Sequence, residues 1–193
     1  MRSHRRDSLG DTAAAAVANR FNEHVPAMAF AERELLRRFL FEAFLETPWM
    51  TATWCVLPTG YRFVFAPRGG FGPKAERCCD FIGDTMAALQ HRISSARSYQ
   101  GIRGPQFEDR FHSAPIRTAG ELLACGIAVD ALPSRVGLAA GEGEYRFSGF
   151  AAALAGDAES RAGICRLLDK ADTAAGWRQA SAAYRKLLER APR

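Results

Sequence analysis

TATWCVLPTGYRFVFAPR, residues 51–68, predicts two β-strands joined by a turn. Residues 54–57 form an apolar run of strand-forming side chains, and the Pro-Thr-Gly that follows is typical of a turn. In the second strand, aromatic side chains occupy every other position, at Tyr61, Phe63 and Phe65. Because alternate residues of a strand lie on opposite faces, we expect these rings to face a core, and Gly60 and Arg62 to face the other way.

Amphipathic helices are predicted on both sides of this strand pair. Residues 31–46 carry an apolar stripe with helical spacing and end before Pro48. Residues 75–97 repeat the pattern over a longer stretch, with charged side chains opposite the apolar stripe. On this longer helix we expect His91, Arg92 and Arg97 to lie toward solvent or a partner.

The second half of the chain predicts one more strand and a series of helices. Residues 106–117 alternate between faces as a strand does. Thr118 and Glu121 form a T-x-x-E capping box, so a helix starts there and is expected to end at about Leu132, before Pro133. Later helices are predicted at residues 150–155, 159–170 and 176–190. These last helices either pack on the sheet domain or bind another molecule.

The net positive charge of the chain favours a nucleic-acid ligand. Across 193 residues, 26 Lys and Arg face 21 Asp and Glu, giving a net charge of +5, and almost all of the cations are arginine. Arginine suits bidentate contacts to phosphate. High-GC codon usage would also enrich Arg and Ala, so composition alone leaves both explanations open.

Other classes of protein are disfavoured by the sequence. No apolar run approaches the roughly 20 residues of a membrane helix, and the basic N-terminus lacks a signal-peptide core, so we expect a cytoplasmic protein without membrane contact. The five cysteines form no CxxC pair, which disfavours a zinc site or a disulfide framework. We therefore expect no metal and no cofactor.

Four segments resemble the REP-associated tyrosine transposase family, a branch of the HUH single-tyrosine transposases. LPTGYRFVF stands where that family has Leu or Met, Pro, Asn or Glu, and then His-hydrophobic-His on a central strand. FEDRFHS is similar to its Trp-Gln-x-Arg-Phe segment, with Arg110 and Phe111 kept. AVDALPSRVGL resembles Tyr-Ile-His-x-Asn-Pro-Val-x-x-Gly, with Pro133 and Gly137 kept, and YRFSGF resembles Trp-Ser-Ser-Tyr. The segments occur in the family's order.

The resemblance implies an α+β fold: a central antiparallel sheet with helices packed on it, a ferredoxin-like HUH transposase-like core, and a C-terminal helical tail. It divides the chain into a mobile basic arm at 1–12, a transposase-like domain at 13–150 and the tail at 151–193. It also implies that residues 12–20 form the first strand despite their alanines, because sheet context can override local propensity.

In that family a tyrosine hydroxyl attacks a DNA phosphodiester, and two histidines and a polar side chain hold a divalent cation on the phosphate. The resemblance puts Gly60 and Arg62 at the histidine positions, Ala128 at the tyrosine and Leu132 at the polar ligand. None of these side chains supplies the required nucleophile or ligand. We therefore expect that the protein is not an enzyme of this class, and none of its four tyrosines is expected to replace the nucleophile.

Arg62 admits two interpretations. It could hold a phosphate by charge-assisted hydrogen bonds where the family holds a metal, or it could be a solvated strand residue or pair with an acid. The candidate nucleic-acid-binding residues share a positive or protonatable side chain and predicted exposure: Arg62, Arg92, Arg97, Arg103, Arg110, His112 and Arg117. Exposed arginines are by themselves ordinary.

Two functions remain open from the sequence. The first is a catalytically inactive transposase-like protein that binds hairpin or single-stranded DNA or RNA, as a domesticated regulatory or accessory factor. The second is a structural or protein-interaction subunit that reuses the fold without nucleic-acid binding, with a protein partner at the C-terminal helices or at a sheet edge. Homodimerisation is left open in either case.

Overall fold

A computed structural model of the protein describes residues 14–44, 47–69 and 78–191. The strands are Ala14–Arg20 (β1), Trp49–Leu57 (β2), Gly60–Pro67 (β3) and His112–Ile116 (β4). The helices are Phe30–Phe44 (α1), Cys78–Tyr99 (α2), Ala119–Asp130 (α3), Leu132–Arg135 (α4), Gly149–Ala155 (α5), Ala158–Leu167 (α6) and Ala174–Glu189 (α7). The predicted arm at 1–12 lies outside the described residues.

The four described strands form one antiparallel sheet in the order β2-β3-β1-β4. The first six elements follow one another as strand, helix, strand, strand, helix, strand. This connectivity and strand order are those of a ferredoxin-like fold. The predicted α+β class with a central antiparallel sheet is therefore confirmed.

Each face of the sheet is covered by helices, so the protein has two apolar cores. The aromatic face of β3, with Tyr61, Phe63 and Phe65, packs against α1 and α2. Val64 and Ala66 on the opposite face pack against α3 and the helices that follow it. The predicted alternation along β3 is confirmed, since the three rings are buried and Arg62 is exposed on the other side.

Alanine-rich β1 occupies an interior position in the sheet, between β3 and β4. Ala14 and Ala15 are fully buried, on opposite faces. Ladder hydrogen bonds on both sides and helices above and below outweigh the helix propensity of the alanines. The strand predicted at 12–20 is confirmed from Ala14 onward, and residues 12 and 13 lie outside the described residues.

The strand predicted at 106–117 is only partly confirmed. Ala18 pairs with His112, whereas Phe21 pairs with Phe107, so four residues (108–111) lie opposite two residues of β1 (19 and 20). The insertion is a bulge that interrupts the ladder, and regular pairing with β1 covers only His112–Ile116.

The capping box is confirmed, although the helix ends earlier than expected. Thr118 Oγ1 accepts the N–H of Glu121 at 3.1 Å, and the Glu121 carboxylate accepts the N–H of Arg117 at 2.7 Å. The helix α3 ends at Asp130, and Pro133 lies inside the short helix α4 instead of beyond the last turn. Proline fits there because the N–H groups in the first turn of a helix have no acceptor within the helix, so the N–H that proline lacks is not needed.

Helices α5 and α6 pack on β2, and α7 packs on α3 and α6 in the second core. Asp130 joins four elements: its Oδ2 accepts hydrogen bonds from Thr53 Oγ1 on β2 (2.6 Å) and Tyr184 Oη on α7 (2.9 Å). Its Oδ1 accepts the N–H of Phe150 on α5 at 3.0 Å. The helices after Gly137 therefore pack on the sheet domain.

Candidate nucleic-acid interface

One end of the second sheet face is open and carries cationic side chains. Cys55, Arg62, Ala18 and His112 are register partners in succession and form a row across all four strands. Arg62 and His112 are exposed, whereas Cys55 is buried. Two strand spacings separate the backbones of Arg62 and His112, a distance of about 10 Å.

Arg20 extends this open end along β1. It lies two residues beyond Ala18, so it shares that face, and it is exposed opposite Gly60. Arg110 lies in the bulge immediately before β4 and is also exposed. Buried Asn19 fixes the bulge, since its Nδ2 donates to the Asp109 carbonyl (3.1 Å) and its Oδ1 accepts the N–H of Arg20 (2.8 Å). We call Arg20, Arg62, Arg110 and His112 the sheet-end surface.

The arginines of this surface differ from several others in the described ranges, which pair with carboxylates. Among the described residues, no carboxylate forms an ion pair with Arg20, Arg62 or Arg110. The nearby acid Asp109 accepts only a backbone N–H, that of Arg110. Some of the arginines elsewhere do pair with carboxylates: Arg37, Arg68, Arg92, Arg97, Arg146 and Arg166. The guanidinium groups of the sheet-end surface are therefore available to an external anion.

The prediction that Arg97 lies toward solvent is wrong. Its side chain is fully buried, with Nη1 3.2 Å from Glu32 Oε1 and Nε donating to Gln106 Oε1 at 2.8 Å. Its Nη2 donates to the Pro26 carbonyl, and the guanidinium lies 4.9 Å from the centre of the Phe21 ring. Helix periodicity places Arg97 near the buried stripe, and the chain before α1 closes over it.

The remaining candidates do not form one surface. Arg92 is exposed on α2, over the Phe39 ring and 3.8 Å from Glu42, on the helical layer that covers the aromatic face of the sheet. Arg103 is exposed in the loop after α2. Arg117 follows the far end of β4, about 16 Å along the strand from His112. Of the predicted set, Arg62 and His112 share one row at the open end, and Arg110 lies in the bulge that adjoins it.

The four positions that the resemblance assigned to catalysis lie on β3, α3 and α4. Gly60 starts β3, and a Cβ there would lie against the Asn19 carbonyl oxygen and 3.0 Å from Arg20 Cα, so the backbone leaves no room for a side chain. Ala128 is exposed on α3, and Leu132 is half-buried at the start of α4. Because Gly60 and Leu132 provide no ligand atom and Arg62 is cationic, these positions do not fit a divalent cation.

Three of the four tyrosine hydroxyls already have hydrogen-bond partners. Gln90 Nε2 donates to buried Tyr61 (3.1 Å), Tyr145 donates to the Val56 carbonyl (2.8 Å), and buried Tyr184 donates to Asp130 (2.9 Å). The fourth, Tyr99, ends α2 on the opposite helical layer. No tyrosine of this chain lies on α3.

Buried ionisable groups lie in the second core, and one of them, Cys55, is the register partner of Arg62. Burial raises the pKa of Asp130 to about 6, and its three hydrogen bonds oppose that shift. Burial, followed by the charge of Asp130, raises the pKa of Tyr184 well above its ordinary value. Burial also raises the pKa of the Cys55 thiol, while Arg62 acts in the opposite direction. These groups stabilise the packing of α3, α5 and α7.

Within the described ranges, no group of three or more His, Cys, Asp or Glu side chains is arranged to hold a metal ion. None of the helices in those ranges combines the length and apolarity needed to cross a bilayer.

Comparison of the fold with solved structures finds similarity. One similar structure superimposes with a TM-score of 0.60, covering 81% of this chain and 87% of the other, at 14% sequence identity. The fold is similar to that of a REP-associated tyrosine transposase. That transposase was solved bound to a REP hairpin. No protein-family model matches the sequence, and no curated protein matches it. At this identity the likeness is one of fold.

Arg20 is the member of the sheet-end surface that the sequence did not indicate. In the sequence, Arg20 is the last residue of an alanine-rich predicted strand and belongs to no motif. Its proximity to Arg62 depends on the β1–β3 register, in which Ala18 opposes Arg62 and Arg20 opposes Gly60. The period-two alternation from Ala18 is the signal that would have placed it on the same face.

Proposed function

We propose that this protein binds hairpin or single-stranded nucleic acid at the sheet-end surface and does not cleave it. The observation that carries the proposal is the group of exposed guanidinium groups on Arg20, Arg62 and Arg110, which have no described carboxylate partner. Arginine forks match the geometry of phosphate oxygens, and such contacts dominate nucleic-acid affinity.

The fold comparison supports the choice of ligand. A protein of similar fold was solved with a hairpin nucleic acid, and the similarity spans most of both chains. The resemblance assigns the family's two histidine positions to Gly60 and Arg62, and Arg62 is exposed at the open end of the sheet. A nucleic-acid backbone therefore suits this surface better than a small anion, because several separated cations are presented together.

The absence of cleavage is proposed from the chemistry of four positions. Gly60, Arg62, Ala128 and Leu132 offer neither the nucleophile nor the metal ligands that the resemblance requires. Arg62 instead brings its own positive charge to the strand position where a metal-bound phosphate would lie. Binding is thus retained without strand cleavage, as expected for a domesticated regulatory or accessory factor acting in the cytoplasm.

The test combines binding and cleavage in the same samples. Purified protein is mixed with labelled hairpin and single-stranded DNA and RNA at two salt concentrations, with Mg²⁺ present, and the labelled strands are then separated by size. We expect binding that weakens steeply with salt and strands that remain intact. Strand cleavage would overturn the proposed inactivity, and the absence of binding to every probe would overturn the proposed ligand.

One observation favours the alternative of a protein-interaction subunit. Val136 and Leu138, in the turn after α4, are 52% and 43% exposed. Exposed neighbouring apolar side chains are a feature of protein interfaces. This alternative predicts affinity for nucleic acid no better than the non-specific range of roughly 10⁻⁴ to 10⁻⁶ M, together with co-purification of a defined partner that Val136→Ser releases.

A further inference from the structure

Tyr99 has the most exposed large apolar side chain recorded in the described ranges. It is 94% exposed at the last residue of α2, whereas Tyr61 and Tyr184 are buried. A fully exposed aromatic ring buries no apolar surface and so does not stabilise the fold. It does offer a free face on which a nucleic-acid base can stack, whatever the base.

The backbone after Tyr99 forms a defined helix cap, so the position of the Tyr99 backbone is fixed. The N–H of Ile102 donates to the Arg97 carbonyl (3.0 Å), and the N–H of Gly101 donates to the Ser98 carbonyl (3.0 Å). Gly101 has a φ of 84°. These are the two bonds and the left-handed glycine of a Schellman cap, which ends α2 immediately after the tyrosine.

A groove rich in hydrogen-bond donors lies beside Tyr99. Along α2 it is lined by His91, Ser94, Ser95 and Ser98, which fall on one face of the helix. Arg103 lines its other side, exposed and without an ion-pair partner among the described residues. Among the described residues that line the groove there is no carboxylate. Hydroxyl, imidazole and guanidinium groups together suit the oxygens of a phosphodiester backbone.

Buried Gln106 lines this groove, and buried Arg97 lies behind it as its hydrogen-bond partner. Gln106 Oε1 accepts from Arg97 Nε at 2.8 Å, and Gln106 Nε2 donates to the Gly104 carbonyl at 2.8 Å. Both side chains are almost fully buried. The loop that carries Arg103 is thus held in place by a polar platform, so a ligand need not order it on binding.

We propose that this groove, with Tyr99, binds an unpaired stretch of nucleic acid as a second subsite. The proposal rests on the proposed function and specifies its ligand. The groove belongs to the helical layer over the aromatic face, and Arg62 lies on the other face. Residues 103–110 run from the groove to the bulge of Arg110 at the β4 edge. A strand leaving the sheet-end surface would pass this edge and reach Tyr99.

The experiment uses the full chain and two fluorescein-labelled probes measured by anisotropy. One is an oligothymidylate of about 20 nucleotides, longer than a typical single-strand site, with an oligouridylate of the same length as the RNA arm. The other is a blunt-ended DNA hairpin without unpaired ends. The variants are Tyr99→Ala and Arg103→Gln. Tyr99→Phe keeps the ring, and Arg178→Gln removes an exposed arginine of α7 as a matched control.

We expect Tyr99→Ala to weaken binding of the single-stranded probe about tenfold, the loss of one stacked base, and Tyr99→Phe to bind as the wild type does. Arg103→Gln should also weaken it, whereas blunt-hairpin binding should be unchanged in all four variants. Equal single-strand affinity in Tyr99→Ala and wild type would overturn the second subsite. If Arg62→Gln still weakened the hairpin complex in that case, the proposed function would stand. Failure of the wild type to bind either probe would overturn both.

Discussion

Arg62 on β3 and His112 on β4 are both register partners of Ala18, on opposite sides of the same central strand. Their side chains therefore point from one face of the sheet, at the end that the helices leave open. The small Ala18 side chain between them leaves this row accessible. Arg62 belongs to the predicted hairpin, and His112 lies 50 positions later in the sequence.

Neutralising the sheet-end surface should weaken hairpin binding. We expect Arg62→Gln and Arg110→Gln each to reduce affinity at low salt and to lower the slope of log affinity against log salt by about one, the loss of one phosphate contact. Affinity is measured by fluorescence anisotropy across a salt series. Arg178→Gln is the matched control, and an unchanged slope in both surface variants would count against the interface.

Placing a histidine at residue 60 should destabilise the protein. A Cβ there meets the Asn19 carbonyl oxygen, so β1 must shift for Gly60→His to fold. We expect a loss of about 2 kcal/mol in the free energy of unfolding, as for an overpacked site, measured by urea denaturation. Thr59→His, at an exposed turn position next to it, is the control and should be close to neutral. Equal urea midpoints for the two variants would contradict the steric argument.

Asp130 should make stability fall as pH rises. Its pKa is raised from 3.8 to about 6 in the folded state, so between those values the folded state binds more protons than the unfolded state. Its contribution is thus fully present below pH 3.8 and is lost as pH rises through about 6.

Asp130→Asn isolates this effect because it keeps the shape and removes the titration. The unfolding free energy of the wild type relative to that of the variant should fall with pH across this window by an amount of the order of 3 kcal/mol. Asp84→Asn changes an exposed carboxylate on α2 and should give a flat difference. A flat or rising difference for Asp130→Asn would show that the carboxylate is ionised throughout.

Arg97 should matter to stability because it neutralises a buried carboxylate. Arg97→Met leaves Glu32 buried without its cation and should cost about 3–5 kcal/mol of unfolding free energy. The double variant Arg97→Met/Glu32→Gln removes the unpaired buried charge of Glu32. The glutamine keeps a side-chain oxygen that can accept the Ala29 N–H, as Glu32 does in the wild type. The double variant should recover part of the lost unfolding free energy, measured by chemical denaturation. A double variant as unstable as Arg97→Met would argue against a charge effect.

Local patterns predicted several elements of the fold correctly. The alternation of Tyr61, Phe63 and Phe65 sets one face of β3, and the Thr118 cap starts α3 where expected. Both signals act over a few neighbouring residues. The strand at 106–117 was predicted too long, because its bulge depends on pairing with β1, far away in the chain.

The candidate site shows the same division. Arg62 was placed on the correct face because the side-chain period of a strand is local. Arg97 was misplaced, since its burial depends on Glu32, Gln106 and the Pro26 carbonyl, which come together only when α1 and the loop after α2 pack around it.

By itself the sequence determined the two periodicities, the caps and turns, the excess of arginine and the residues at the four family positions. The tertiary structure decided which arginines meet, which ones pair with acids and which one is buried. The physical reason is that propensity and alternation are properties of adjacent residues. Proximity across a sheet is instead set by register, and register depends on pairing and packing of the whole chain.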